Sequence, residues 1–550
     1  MPALAVVPGG FLVVFYAWPV LTLLVEVADA SAIRDTLTRP GLGRVVWFTF
    51  WQAVISTLAT VTIGLLPTYL VSRWQFLGRR LVVTLVTVPF LLPTVVVGAA
   101  FAALLPDRLN GTAVAVIAAH VYFNVAVVVR VVGTVWSQLA GDLSAAARTL
   151  GAGPWRAAWL ITLPLLRPSI VAAGAITFLF TFTSFGVVQV LGGPANPTIE
   201  VEIARRATQL GDISGAAVLS ALQLLILVVL VVATTRAQRS TTQLALGATP
   251  RRRPDTPKAR LGVAAGAVAT LTVVALPMVG LVADSLRPGG HWSMRAWRSL
   301  GLSDARPGAS ISIDPIAAIN ASLRAAVVAT VISLVIGTLA TLAIAGARRH
   351  GRWMDVGMML PLGTSAVTIG FGMLIAFDRA PFDWRAQPWL VPLGHALVAA
   401  PFVVRTMLPV LSARPNGWIE AAGTLGASPL RAWWHVDVAM LRRPLITSAG
   451  FAAAISLGEF GATTFLTRSG DETMPVAVAR LLGRAGDVPH AQGSAMAVIL
   501  AAVTLAILIA VDAIDRDAID RQDTDSDRDR VARNRSERHQ RTTRLRAGRV

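Results

Sequence analysis

The chain has 550 residues, 54% of them hydrophobic and 14% charged, with a mean hydropathy of +0.63 and a formal net charge of +19. That leaves too few charges to coat a soluble core, and Lys258 is the only lysine, so neither a soluble enzyme nor a lysine-rich nucleic-acid patch fits. With no cysteine, disulfides, thiolate metal sites and cysteine nucleophiles are excluded.

Runs of about 20 apolar residues cross a bilayer as helices, because lipid offers the backbone no hydrogen-bond partner. Taken from the amino terminus, such runs fall at 9–28, 46–72, 81–105, 112–136, 168–191 and 214–235. A second set falls at 261–283, 323–346, 354–377, 387–411, 445–467 and 492–511. The first run lacks a positive leader and is long, so it reads as a retained span, although ADASA after it resembles a cleavage site. Residues 236–260 are polar and rich in Pro and Arg and read as a cytoplasmic linker; 512–550 lack apolar periodicity and read as a disordered charged tail. The expected architecture is an all-α polytopic membrane protein of about twelve transmembrane helices. Arginines 73, 79, 80, 348, 349 and 352 and those of the linker share one side when the spans are counted, which places both termini in the cytoplasm. Arg205 and Arg206 fall outside and weaken the bias.

The two sets are copies of each other. Shifted by 275 residues, His120 falls on His395, Arg130 on Arg405, Leu150 and Gly151 on Leu425 and Gly426, Phe185 on Phe460 and Thr198 on Thr473. Pro89 meets Pro361 and Gly98 meets Gly370 at a slightly smaller offset. The units are 1–235, with a cytoplasmic loop at 142–167, and 261–511, with a loop at 416–443. An even span count per unit makes them parallel repeats about an axis along the membrane normal, with a path between them.

Each loop carries small residues, a glycine at a fixed step, then an aromatic and basic segment ahead of a proline: DLSAAARTLGAGPWRAAWLITLPLLRP and WIEAAGTLGASPLRAWWHVDVAMLRRP. The residues suit a short helix, a turn at Gly151 or Gly426, and a second short helix. Trp155, Trp159, Trp433 and Trp434 suit interfacial anchors or bundle packing. This spacing resembles the cytoplasmic loop of ABC importer permeases: Glu-Ala-Ala, three residues, Gly, nine residues, Ile-x-Leu-Pro. Glu420, Ala421, Ala422 and Gly426 match in the second loop, which has Val436, Val438 and Ala439 at the closing positions. Ala146, Ala147, Gly151, Ile161, Leu163 and Pro164 match in the first, which has Ala145 in place of the glutamate. The resemblance implies a MetI-like permease fold of two six-helix halves and loops that dock on two copies of a separate ABC ATPase. It also implies an extracytoplasmic solute-binding protein as partner, residence in the cell membrane, and no catalysis, cofactor or metal in this chain. No phosphate-binding loop is present, since the single lysine lies in TPKAR. Segments around SFG, LGG and TIE resemble fused permeases of thiamine and ferric-iron importers, leaving thiamine, ferric iron or another small solute open.

Four features have two readings each. Glu459 stands in an otherwise uncharged span, opposite Ser184 of the first copy, and lines a path or holds a helix kink. Phe185 and Phe460 form a gate or pack in the core. His120 and His395 suggest a metal or proton site, or a repeated packing hydrogen bond. Glu200 and Glu202 contact a cation or its binding protein, or sit on a solvated loop face. A secondary transporter is the competing class, but it requires an intramembrane relay of ionisable residues where Glu459 is nearly alone, and it requires no paired loops. A membrane enzyme would need a metal cluster or nucleophile motif, and neither is found in the sequence.

Overall fold

A computed structural model of the chain describes residues 2–27, 30–139, 147, 149–239, 251–300, 313–346, 351–378, 383–385, 387–415, 417–468, 470–511 and 513–514. The expected disordered tail, residue 146 and much of the linker lie outside the described residues. Every named element among them is helical. Ten helices are long and apolar enough to cross a bilayer, and two bent pairs bring the spans to twelve. Spans 1, 2, 4, 5 and 6 are Leu4–Glu26, Leu42–Arg73, Ala113–Gln138, Trp155–Phe182 and Ile213–Val232. Spans 7, 8, 10, 11 and 12 are Pro257–Ser285, Pro315–Gly346, Leu390–Ser412, Trp433–Gly458 and Asp487–Val511.

Spans 3 and 9, expected at 81–105 and 354–377, are each bent pairs of helices. Arg79–Leu91 and Thr94–Leu104 meet at 104°, and Gly351–Gly363 and Ala366–Ala376 at 98°. In the first, the ring of Pro93 forbids a helical Leu92, which is extended at φ −74°, ψ 147°. In the second, Ser365 takes the cap position and its hydroxyl accepts from the amides of Val367 at 3.1 Å and Thr368 at 3.4 Å. Spans 5 and 11 also differ from expectation. They begin earlier, in the cytoplasmic loops, and end at Phe182 and Gly458. Short helices Gly186–Leu191 and Thr463–Leu466 follow the breaks.

Within each half, the long spans pack at glycine. A Cβ on Gly64 would stand 2.9 Å from Val128 Cβ, and one on Gly337 would stand 2.6 Å from Val403 Cβ, so spans 2 and 4, and 8 and 10, approach as only a missing side chain allows. Between halves the first spans are exchanged. Span 1 packs on the second half, with Phe11 in one core with Ile336, Met358 and Phe377 and Tyr16 Oη 2.6 Å from Thr364 Oγ1. Span 7 returns the exchange: Leu271 and Val274 pack against Val82 and Val86, and Tyr122 donates to Val274 O at 2.9 Å. The linker's end is fastened to the turn after span 2, where Arg252 N donates to Arg73 O and Gln75 N to Arg252 O, both at 2.9 Å.

Candidate functional site

The two loops are built alike around a left-handed glycine. Gly151 has φ +85° and Gly426 φ +81°, a region where a Cβ is strained. Ala152 N reaches back to Ala147 O and Ala427 N to Ala422 O, both at 3.0 Å. That bond, from the residue after the glycine to a carbonyl five residues earlier, closes a helix end with a Schellman turn. Leu150 and Leu425, immediately before the glycines, are each 88% exposed. Glu420 and Ala421 on the helix Gly417–Thr424 are exposed, Ala147 and Ala422 half-buried, and Ala146 lies outside the described residues.

The second arm of each loop differs from the predicted separate short helix. Pro154–Ala157 passes through a π-helical turn at Ala158–Thr162 into Leu163–Phe182; Pro429–Ala432 passes through Trp433–Val438 into Ala439–Gly458. Leu163 and Pro164 therefore sit inside one continuous rod; Pro164, which has no amide hydrogen to donate, stands at its α-helical start just after the π-turn. Trp155, Trp159 and Trp434 are exposed on this arm. Arg414, at the end of span 10, pairs with buried Asp437 on the π-turn and braces the second loop.

The rods end at the breaks that hold Ser184, Phe185, Glu459 and Phe460, all buried. The rings of Phe185 and Phe460 stack across the two halves, 4.8 Å apart and 26° from parallel. Glu459 is fully engaged: its carboxylate accepts from Ala462 N at 3.0 Å, Thr463 N at 2.9 Å and Thr463 Oγ1 at 2.6 Å, capping the helix Thr463–Leu466. His395 Nδ1 is 2.7 Å from Ser456 Oγ and its Nε2 2.7 Å from Thr463 Oγ1. His120 Nε2 is 2.8 Å from Ser184 Oγ. Each histidine thus clamps a break to the neighbouring span through hydroxyls. No group of three or more potential metal-ligating side chains occurs among the described residues.

Glu200 and Glu202 are not on a solvated face. They lie on the helix Ile199–Arg205, 0% and 4% exposed. Glu202 meets Arg205 and Arg206, each at 2.9 Å. Burial alone would raise its carboxyl, but those two arginines outweigh it and hold the group below its ordinary value. Arg480, equivalent to Arg205, makes the same kind of pair with buried Glu472 at 2.5 Å. Sequence reasoning missed the exposed leucines, although their recurrence beside the glycines was visible, and missed Gln223 and Ser365 beside Glu200, which have no counterpart in the repeat.

Comparison with known proteins fits this geometry. Over 549 residues the chain is 29% identical to the thiamine transport system permease protein ThiP of Brucella suis biovar 1 (strain 1330), across 93% of this chain and 95% of the relative. The thiamine permease of Brucella abortus (strain 2308) gives the same 29% over 550 residues, with 93% and 95% covered. A putative 2-aminoethylphosphonate permease, PhnV, of Salmonella paratyphi A (strain ATCC 9150 / SARB42) is 31% identical over 183 residues, 32% of this chain and 66% of that one. Residues 56–241 and 333–520 each match one family, so the chain belongs to the binding-protein-dependent transport system inner membrane components, as the two-copy permease subunit of an ABC importer.

Proposed function

We propose that this permease imports thiamine and is driven by two ATPase copies, one docked on each cytoplasmic loop. The observation that carries the docking and gating assignment is the continuity of spans 5 and 11. Trp155–Phe182 is 28 residues, about 42 Å at 1.5 Å per residue, with an exposed loop at one end and Phe185 just beyond the other. A push on the loop therefore moves the break as a rigid lever moves its far end. Leu150 and Leu425 are the apolar knobs that enter the motor subunits, with Ala147, Ala421 and Ala422 as the small residues behind them and Glu420 beside them. When the motors close, the two rods shift and the Phe185–Phe460 stack separates. Glu459 and Ser184 act as the fixed pivots at the breaks, held by His395 and His120.

The functional units are 1–235 and 261–511, with loops at 142–167 and 416–443, joined by the linker 236–260 and followed by the tail 512–550. Both termini face the cytoplasm on this reading, because the positive-inside rule assigns the arginine-rich turns and linker to the cytoplasmic side. Thiamine is favoured over ferric iron because two relatives matching nearly the whole chain carry thiamine in their names. The test is uptake of labelled thiamine by proteoliposomes holding the full chain with its ATPase and a thiamine-loaded binding protein. ATP-dependent accumulation is expected; ATP hydrolysis without accumulation overturns the solute assignment.

A further inference from the structure

The helix Ile199–Arg205 buries a second carboxylate, Glu200, that has no role in the coupling or gating described above. It is 0% exposed, and its Oε1 accepts from Gln223 Nε2 of span 6 at 2.5 Å. Its Oε2 is buried with no hydrogen-bond partner, as is Oε1 of the same Gln223. The other half contributes the Ser365 hydroxyl, the cap of the bent span 9; burial works against the charged carboxylate, and Ser365 and Gln223 favour it by hydrogen bonding. Among the described residues no arginine, lysine or histidine pairs with Glu200, whereas Glu202, two residues on, has two arginines.

A buried carboxylate with no cationic partner is costly to keep and persists where something else repays it. The repeat shows that the fold does not require it. At the equivalent positions of the other half stand Pro475 for Glu200, Val498 for Gln223 and Pro93 for Ser365. Neighbouring positions keep their residues across the same shift, as Thr198 and Thr473, and Arg205 and Arg480, show. One contact between the halves is therefore built with apolar residues where its repeat-related counterpart holds a polar cluster. The asymmetry suits one solute molecule per transporter.

We propose that Glu200, with Gln223 and Ser365, is the solute-binding site of the permease, and that its solute is an organic cation bearing an amino group. The carboxylate supplies the counter-charge, and its free oxygen accepts from the amino group. The Gln223 carbonyl accepts a second hydrogen. In this closed arrangement the site is shut between the helix Ile199–Arg205 and span 9, and it opens as the halves part. Thiamine has both features, a thiazolium charge and an aminopyrimidine, so the inference rests on the thiamine assignment and gives it a residue.

The test uses the full chain with its ATPase and binding protein in proteoliposomes, with thiamine as the probe. Glu200→Gln should cut ATP-driven uptake by at least about tenfold. It should also erase the extra ATPase activity that thiamine-loaded binding protein elicits over empty binding protein, while the complex with the ATPase still assembles. Glu200→Asp should recover part of both. Undiminished uptake by Glu200→Gln overturns the inference, and so does a parallel fall of uptake, assembly and basal ATPase, which marks a structural role. Absence of thiamine uptake by the parent transporter sinks the solute assignment itself, which separates that failure from this one.

Discussion

At the scale of single residues, the breaks are where polar groups are concentrated in an apolar bundle, and each has a defined load. Glu459 satisfies two amides and a hydroxyl that lipid-facing or apolar surroundings could not. Glu459→Ala leaves them unpaired at roughly 1–3 kcal/mol, so the detergent-solubilised protein should melt at lower temperature, while Glu459→Gln, which keeps one acceptor, should lose less. The first copy needs no carboxylate there, because Ser184 meets His120 directly; a milder loss is expected for Ser184→Ala in the same melting assay. The Phe185–Phe460 stack contributes about 0.5–1.5 kcal/mol to the contact between the halves. Replacing either ring by alanine should raise ATPase activity in the absence of binding protein, and unchanged basal hydrolysis would remove the gate assignment. Glu459 was legible in the sequence as a costly residue with two possible roles; which role it fills depended on the position of Thr463, four residues on, after a turn no apolar pattern announces.

At the scale of elements, each loop joins a Schellman turn to a continuous rod, which under the proposed docking acts as a stiff lever. Gly151→Val and Gly426→Val force a Cβ into positive φ, at roughly 1–2 kcal/mol each, and deform the surface beside the exposed leucine. The double variant should insert into the membrane normally and lose solute-stimulated ATPase. Intact stimulation would refute docking through these turns. The loops' glycines, small residues and tryptophans were readable from spacing. Continuity of the second arm with the span was not, because Pro164, Pro168 and Pro444 look like helix breaks in sequence, whereas the helical backbone runs on through all three. The bends in spans 3 and 9 were hidden for the opposite reason: hydropathy is uniform across them, and a sharp bend leaves composition unchanged.

At the scale of the molecule, the absence of cysteine allows orientation and docking to be tested by introducing one thiol at a time. Leu150→Cys and Leu425→Cys should react with an impermeant thiol reagent added from the cytoplasmic side alone, and the bound ATPase should protect both. Reaction from the outer side would reverse the orientation. The exchange of spans 1 and 7 further implies that the halves do not assemble as independent six-helix bundles. A chain cut in the linker should still form an active complex when both pieces are co-expressed, whereas deletion of span 1 should destabilise the second half, whose core holds Phe11. The sequence by itself determined the membrane class, the twofold repeat, the helical content and the family, because hydrophobicity, periodic arginines and a shared offset are properties of the chain in one dimension. Tertiary structure alone decided which half each first span serves, where the rods end, that the two phenylalanines meet, and that Glu200 is buried without a cation. Those are relations between residues distant in the chain, fixed by how apolar faces and glycine notches fit in three dimensions.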